Sequence, residues 1–107
     1  QPIEVVIRLV NSLLKSGHRF IFISGRNECA REDTENWLRE HLELDRIELY
    51  MRADEDYRKD FIIKKELFYQ HIHEKFYVYF VLDDRQQVVD MWREMGLTCL
   101  QCAEGDF

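Results

Sequence analysis

The sequence predicts an α/β protein, a Rossmann-like parallel sheet with helices on both faces. Three observations carry that reading. Apolar segments of strand length alternate with amphipathic segments of helical period along the whole chain, the pattern of parallel strands joined by helical crossovers. The strand candidates Arg19–Ser24 and Tyr77–Leu82 are apolar runs without alternation, as expected of strands covered on both faces. Polar clusters then fall at strand ends or on the helices leading to them, where open parallel sheets bind ligands.

The elements follow in order. Pro2 suits a first helical turn, where its missing N–H has no partner to lose. From Ile3 to Lys15, Val6, Leu9, Val10, Leu13 and Leu14 recur at helical spacing, and Gly17 ends the helix. Strand Arg19–Ser24 leads to a loop over Gly25–Arg31. Asp33 or Thr34 is placed to cap a helix running through Trp37, Leu38 and His41 to Leu42. Arg46–Met51 is a strand and Arg52–Tyr57 a polar loop. Asp60–His71 is a helix burying Phe61, Ile62, Leu67 and Phe68. Tyr77–Leu82 is the strongest strand and ends in Asp83-Asp84. Arg85–Met95 is a helix using Val88, Val89 and Trp92, closed by Gly96. Leu97–Gln101 is the last strand, and Cys102–Phe107 a short acidic tail.

Composition bounds the function. The 107 residues, 46% hydrophobic, predict a single globular domain over 1–107 with a true core, not a disordered chain. No run approaches the ~18 apolar residues of a membrane span. A net charge of −6 argues against a general nucleic-acid coat protein but not against a pocket gripping one terminal phosphate. Cys29, Cys99 and Cys102 are too few for a disulfide scaffold and read as reduced thiols in a cytoplasmic setting.

Three clusters bear chemistry. Ser24-Gly25-Arg26 is either a phosphate cradle, with a hydroxyl, a close backbone and a two-pronged guanidinium, or a turn with a surface arginine. Asp83-Asp84 is either a Mg²⁺ site or a helix cap, because adjacent carboxylates repel unless a cation joins them. Successive strand residues face opposite ways, so one Asp is expected to face the metal and the other to orient a basic neighbour. Asp60 and Lys64 share a helix face, as a surface ion pair or as a phosphate-neutralising lysine and its holder. The remaining features read as structural: Cys99 and Cys102 lack a redox context, and His71 and His73 lack zinc partners. Trp37 and Trp92 pack, and Arg52, Arg58 and Lys59 form a solvated basic rim.

In order and strand context, the three clusters resemble the haloacid dehalogenase superfamily of phosphotransferases. Ser24 stands where that family has its strand-end Ser or Thr, Lys64 where it has a helical Lys, and Asp83-Asp84 where it has an acidic pair. Ser24-Gly25-Arg26, Arg58-Lys59-Asp60 with Lys64-Lys65-Glu66, the run Leu82–Trp92, and Gly105-Asp106-Phe107 look like the 3′-phosphatase domains of the T-even bacteriophage polynucleotide kinase–phosphatases.

The resemblance implies a Mg²⁺-dependent phosphomonoesterase for 3′-phosphates on DNA or RNA ends, working through an aspartyl-phosphate. It gives Ser24, Gly25, Arg26 and Lys64 the phosphate, Asp83 and Asp84 the metal, and Asp60 the orientation of the basic residues. It also implies an attached or associated 5′-kinase domain, no membrane, and a host-cytoplasmic setting if the gene is a phage's. The rivals are a phosphatase of the same superfamily for nucleotides or small metabolites, and an inactive interaction module.

The family's first motif, Asp-x-Asp-Gly-Thr, supplies the nucleophile at the end of a central strand and has no counterpart in 1–107. The resemblance therefore implies that 1–107 is the C-terminal part of such a domain. On that reading the segment lacks the strand between those ending at Ser24 and Asp83, and it is inactive alone. Oligomeric state stays open.

Overall fold

In the computed structural model the described residues are 4–103. Pro2, Ile3 and the end of the tail, including Gly105-Asp106-Phe107, lie outside them. The chain is α/β and forms two compact units, one ending at Asp56 and one beginning at Tyr57.

The first unit contains α1 (Glu4–Lys15), β1 (Phe22–Asn27), a single 3₁₀ turn over Glu28–Ala30, α2 (Arg31–His41) and β2 (Leu49–Arg52). Helix α1 ends as its glycine predicts. Gly17 takes φ 94°, the Gly17 N–H meets the Leu14 carbonyl at 3.1 Å, and the His18 N–H meets the Leu13 carbonyl at 3.0 Å. These are the paired bonds of a glycine C-terminal cap. Asn11 fastens α1 to the end of α2, donating to the His41 carbonyl at 3.1 Å and accepting the Glu43 N–H at 2.8 Å. Val10, Leu38, Leu42, Leu49 and Met51 form the buried apolar set.

Strands β1 and β2 are parallel, with Phe22 opposite Leu49, Ile23 opposite Tyr50 and Ser24 opposite Met51. The next pair is Asn27 with Arg52, so Gly25 and Arg26 bulge out of the ladder. This differs from the expected strand Arg19–Ser24 with a loop from Gly25. The strand begins later and runs through the glycine, because the ladder is fixed by where β2 lies. Helix α2 starts at Arg31 rather than at an Asp33 or Thr34 cap. Its flanking residue is Ala30, and the Thr34 hydroxyl donates back to the Ala30 carbonyl at 2.8 Å inside the helix. Trp37 is half exposed and stacks on His41 instead of packing in the core.

The second unit contains α3 (Asp60–His71), β3 (Val81–Asp83), α4 (Gln86–Glu94) and β4 (Cys99–Gln101). Strands β3 and β4 are parallel, with Val81 opposite Cys99 and Asp83 opposite Gln101. The expected strand over Tyr77–Leu82 is thus shorter and shifted. β4 offers only three ladder partners, and Tyr77 and Tyr79 stand 90% and 69% exposed instead of covered. Helix α4 buries Val88, Val89, Met91 and Trp92 on one face, and Ile63, Phe68 and Ile72 complete the core. It ends in the same cap as α1: Gly96 at φ 87°, with the Leu97 N–H on the Trp92 carbonyl at 3.1 Å. Among the described residues no helix is long and apolar enough to cross a membrane.

Candidate active site

The second unit gathers four of the candidate residues at the carboxyl end of β3. Helical spacing puts Asp60 and Lys64 on one face of α3. Asp83 ends β3, Asp84 follows it, and Arg85 stands immediately before α4. The Lys64 Nζ donates to Asp83 Oδ2 at 3.2 Å and lies 3.9 Å from Asp60 Oδ2. Arg85 Nη1 lies 3.5 Å from that same Asp60 oxygen. Arg85, Asp60, Lys64 and Asp83 therefore form a chain of alternating charge. The Lys64 and Asp60 side chains are only 13% exposed and that of Asp83 10%, so each charge needs the next one.

The two adjacent aspartates differ in what surrounds them. Asp83 Oδ2 accepts from Lys64 and from the Trp92 indole Nε1, both at 3.2 Å, while Oδ1 accepts the Asp84 N–H at 2.9 Å. Its backbone carbonyl accepts the Cys102 N–H at 2.9 Å. A carboxylate has about four acceptor positions, so Asp83 keeps about one, on Oδ1. The half-buried Asp84 is anchored through its backbone, its carbonyl accepting from the Gln101 side chain at 3.0 Å. Among the described residues its carboxylate accepts no hydrogen bond and joins no ion pair.

That asymmetry bears on Mg²⁺. The described residues contain no group of three or more His, Cys, Asp or Glu able to enclose a metal ion. Mg²⁺ does not require one, since it keeps several waters and takes one or two carboxylates plus phosphate oxygens. An unpaired, half-buried carboxylate beside a pinned one fits that habit. The nearby thiols do not compete as nucleophiles. Burial, reinforced by the Asp83 charge, pushes Cys99 up to about 11, and burial with Asp84 and Asp83 raises Cys102 as well.

The first unit holds the remaining three candidates in the bulge of β1. The Ser24 Oγ accepts the Arg26 N–H at 3.1 Å, and Arg52 Nε donates to the Gly25 carbonyl at 2.7 Å. Both bonds satisfy backbone groups that the bulge removes from the ladder. Ser24 keeps its hydroxyl proton to donate. The Arg26 guanidinium holds the Thr34 hydroxyl at 2.9 Å. Beyond the bulge, the Asp54 carboxylate accepts the Cys29 N–H at 3.1 Å.

Four contributors escaped the sequence reading. Trp92, Arg85, Thr34 and Arg52 each contact a candidate residue, and none announces this in the chain. Trp92 reads as core because of its spacing, and it is core, but its indole N–H is also spent on Asp83. Two cations of the basic rim, Arg58 and Arg52, are engaged. Arg58 grips Glu66 through two bonds, at 2.8 and 3.0 Å, and Arg52 spans the carbonyls of Gly25 and Asp56.

Parallel strands with helical crossovers, a Ser-Gly-Arg bulge, a helical lysine and an acidic pair after a strand are the features that resemble the haloacid dehalogenase-like phosphatases. The comparisons make this specific. The profile of the polynucleotide kinase PNKP phosphatase domain matches residues 1–107, and the chain belongs to that family.

A relative from Autographa californica nuclear polyhedrosis virus, named as a bifunctional polynucleotide kinase/RNA ligase, is 36% identical over 77 residues. That match covers 72% of this chain and 11% of the viral protein. Among solved structures, a chain of the Pnkp1/Rnl/Hen1 RNA repair complex superposes with a TM-score of 0.89 at 46% identity, covering 96% of this chain and 33% of that one. A second structure of the Pnkp1/Rnl/Hen1 complex gives 0.88 at 47% identity, covering 96% and 35%. The chain thus spans about a third of the solved chains and about a ninth of the viral protein.

Proposed function

We propose that this chain serves a Mg²⁺-dependent phosphomonoesterase that removes 3′-phosphates from DNA or RNA ends. The observation that carries the reading is the Lys64 ammonium, held between Asp60 and Asp83, whose neighbour in sequence, Asp84, has an open carboxylate. Lys64 retains a proton beyond its two carboxylate contacts to meet a phosphoryl oxygen. In the first unit, Ser24 has a hydroxyl proton to donate to a phosphate, and Arg26, with the Gly25 backbone, would shape the cradle. Asp84, with the remaining position on Asp83, would hold Mg²⁺, which would neutralise phosphate charge. Asp60 sets Lys64 and Arg85. Electrostatic positioning of this kind is the main protein contribution to phosphoryl transfer.

Residues 1–107 contain no Asp-x-Asp-Gly-Thr, so the attacking carboxylate and the aspartyl-phosphate belong, in this proposal, to a part of the protein outside them. A kinase activity, attached or associated, is proposed on the names of the relatives, as are RNA as one source of the ends and assembly with other repair proteins; a cytoplasmic site of action is proposed on the free cysteines.

The test uses the full-length protein with Mg²⁺ and measures phosphate release from DNA and RNA oligonucleotides with 3′-phosphate ends, from mononucleotides and from sugar phosphates. We expect kcat/KM for oligonucleotide ends to exceed the others at least about tenfold, the scale of one lost specific contact. Preference for the small phosphates would move the protein to the metabolite phosphatases. No release from any of them would leave an interaction module.

A further inference from the structure

We infer that Trp92 is a positioning residue for the phosphatase reaction, acting through Asp83 to fix where Lys64 stands. This rests on the function proposed above. Lys64 lies between two carboxylates, 3.2 Å from Asp83 and 3.9 Å from Asp60. Charge alone does not choose between them, because an ammonium attracts any nearby carboxylate with little directionality.

The choice is made by the geometry of the acceptors. Asp60 also faces Arg85, at 3.5 Å. Asp83 is held from three sides, and the Trp92 indole N–H is the neutral, directional donor on the oxygen that Lys64 uses. An indole has one N–H and no acceptor, so its single bond can only point the carboxylate. The ring itself cannot turn away. Trp92 is 3% exposed, lies edge-on to Phe68 with ring centroids 5.6 Å apart, and sits on α4 among the buried Val88, Val89 and Met91. Rigid packing is thereby passed through one hydrogen bond to a carboxylate, and through it to the ammonium that would meet the phosphoryl group. Without the N–H, the Asp83 carboxylate keeps the Asp84 N–H on Oδ1 but loses the directional donor on Oδ2, and Lys64 moves towards Asp60.

The test compares Trp92→Phe with Val88→Ala in the full-length protein. Phe keeps an aromatic ring in the core and lacks the N–H. Val88 is fully buried on the same helix, its only hydrogen bond to the charged cluster is its backbone N–H on the Arg85 carbonyl, and its side chain carries no polar atom, so its truncation reports packing loss. We expect W92F to lower kcat for 3′-phosphate release about tenfold with KM within twofold, and V88A to leave kcat within twofold. The second readout needs no activity. We expect the two Hε protons of Lys64 to be magnetically inequivalent in the wild type, as on a held ammonium stem, and to converge in W92F but not in V88A.

Unchanged kcat in W92F, or equal kcat losses in the two variants, overturns the inference. So do Lys64 signals that stay apart in W92F. If the wild type itself releases no 3′-phosphate, the functional reading fails, and the Lys64 signals alone decide whether Trp92 positions that side chain. Should W92F not fold, benzothienylalanine at position 92, in a Trp37→Phe background, replaces the N–H by sulfur at nearly constant ring size and takes the same measurements.

Discussion

Replacing Lys64 by Met removes the ammonium and keeps most of the stem. The consequence can be worked from the distances. At an effective dielectric constant of about 20, a unit charge 3.2 Å from Asp83 contributes about 5 kcal/mol of attraction, and one 3.9 Å from Asp60 about 4 kcal/mol. Most of this is cancelled by the cost of drying the lysine. The net effect of breaking such a pair is the penalty of leaving a buried carboxylate without its cation, about 3–5 kcal/mol. With residual exposure of 10–13%, the lower end applies, about 3 kcal/mol.

Asp83→Asn in the same chain tests the cause, because it removes one of the stranded charges. The double variant should recover at least about 1 kcal/mol relative to the sum of the two single losses. Hydrogen exchange of the α3 and β3 amides under urea reads this locally. Activity should not recover. Loss of one charge-stabilising donor costs about 10²–10³ in kcat, and the double variant should stay as slow as K64M. Strict additivity of the two stability losses would show that Lys64 does not neutralise Asp83, and a kcat for K64M within tenfold of wild type that its ammonium does not serve the phosphoryl group.

Two further outcomes follow from the same cluster. Asp84→Asn should change stability by less than about 0.5 kcal/mol, because that carboxylate has no partner to lose among the described residues, yet cut the Mg²⁺-stimulated rate at least about 100-fold; thermal unfolding and a Mg²⁺ titration of the rate check both halves. Alkaline pH should destabilise the second unit. Cys99 keeps its proton to about 11 when folded and to about 9.0 when unfolded, so between those values the unfolded state gives up its proton first and stability falls as pH rises. The loss approaches about 2–3 kcal/mol by pH 11, and Cys99→Ala should flatten that slope in urea unfolding at pH 8 and pH 11.

Much of the fold was legible because helices announce themselves locally. The bounds of α3, Asp60–His71, were legible at both ends, although its buried residues are Ile63 and Phe68 and the expected Ile62 is exposed; Gly17 and Gly96 mark their caps through a positive φ that few other residues adopt freely. Strands were less legible, since a ladder belongs to two segments. Tyr77–Leu82 has the composition of a buried strand, but only Val81–Asp83 finds partners in Cys99–Gln101. The bulge at Gly25-Arg26 could not be read either, because it depends on the register against Met51 and Arg52.

The candidate site was legible as residue types and spacing. The i, i+4 relation of Asp60 and Lys64 and the adjacency of Asp83 and Asp84 are written in the chain. The division of labour between the two aspartates is not. It depends on Lys64 and Trp92, 19 residues before and nine residues after Asp83, both reaching one oxygen. No local pattern encodes that convergence.

Lys64 and the open Asp84 carboxylate are proposed to serve phosphoryl transfer at polynucleotide ends. The most direct test is the initial rate of phosphate release from a 3′-phosphorylated oligonucleotide by the full-length protein, with Mg²⁺ and with EDTA, for wild type, K64M and D84N. The account predicts release by the wild type with Mg²⁺, its loss in EDTA, and a fall of at least about 100-fold in each variant. Release that survives EDTA, or that proceeds at wild-type rate in either variant, would contradict it.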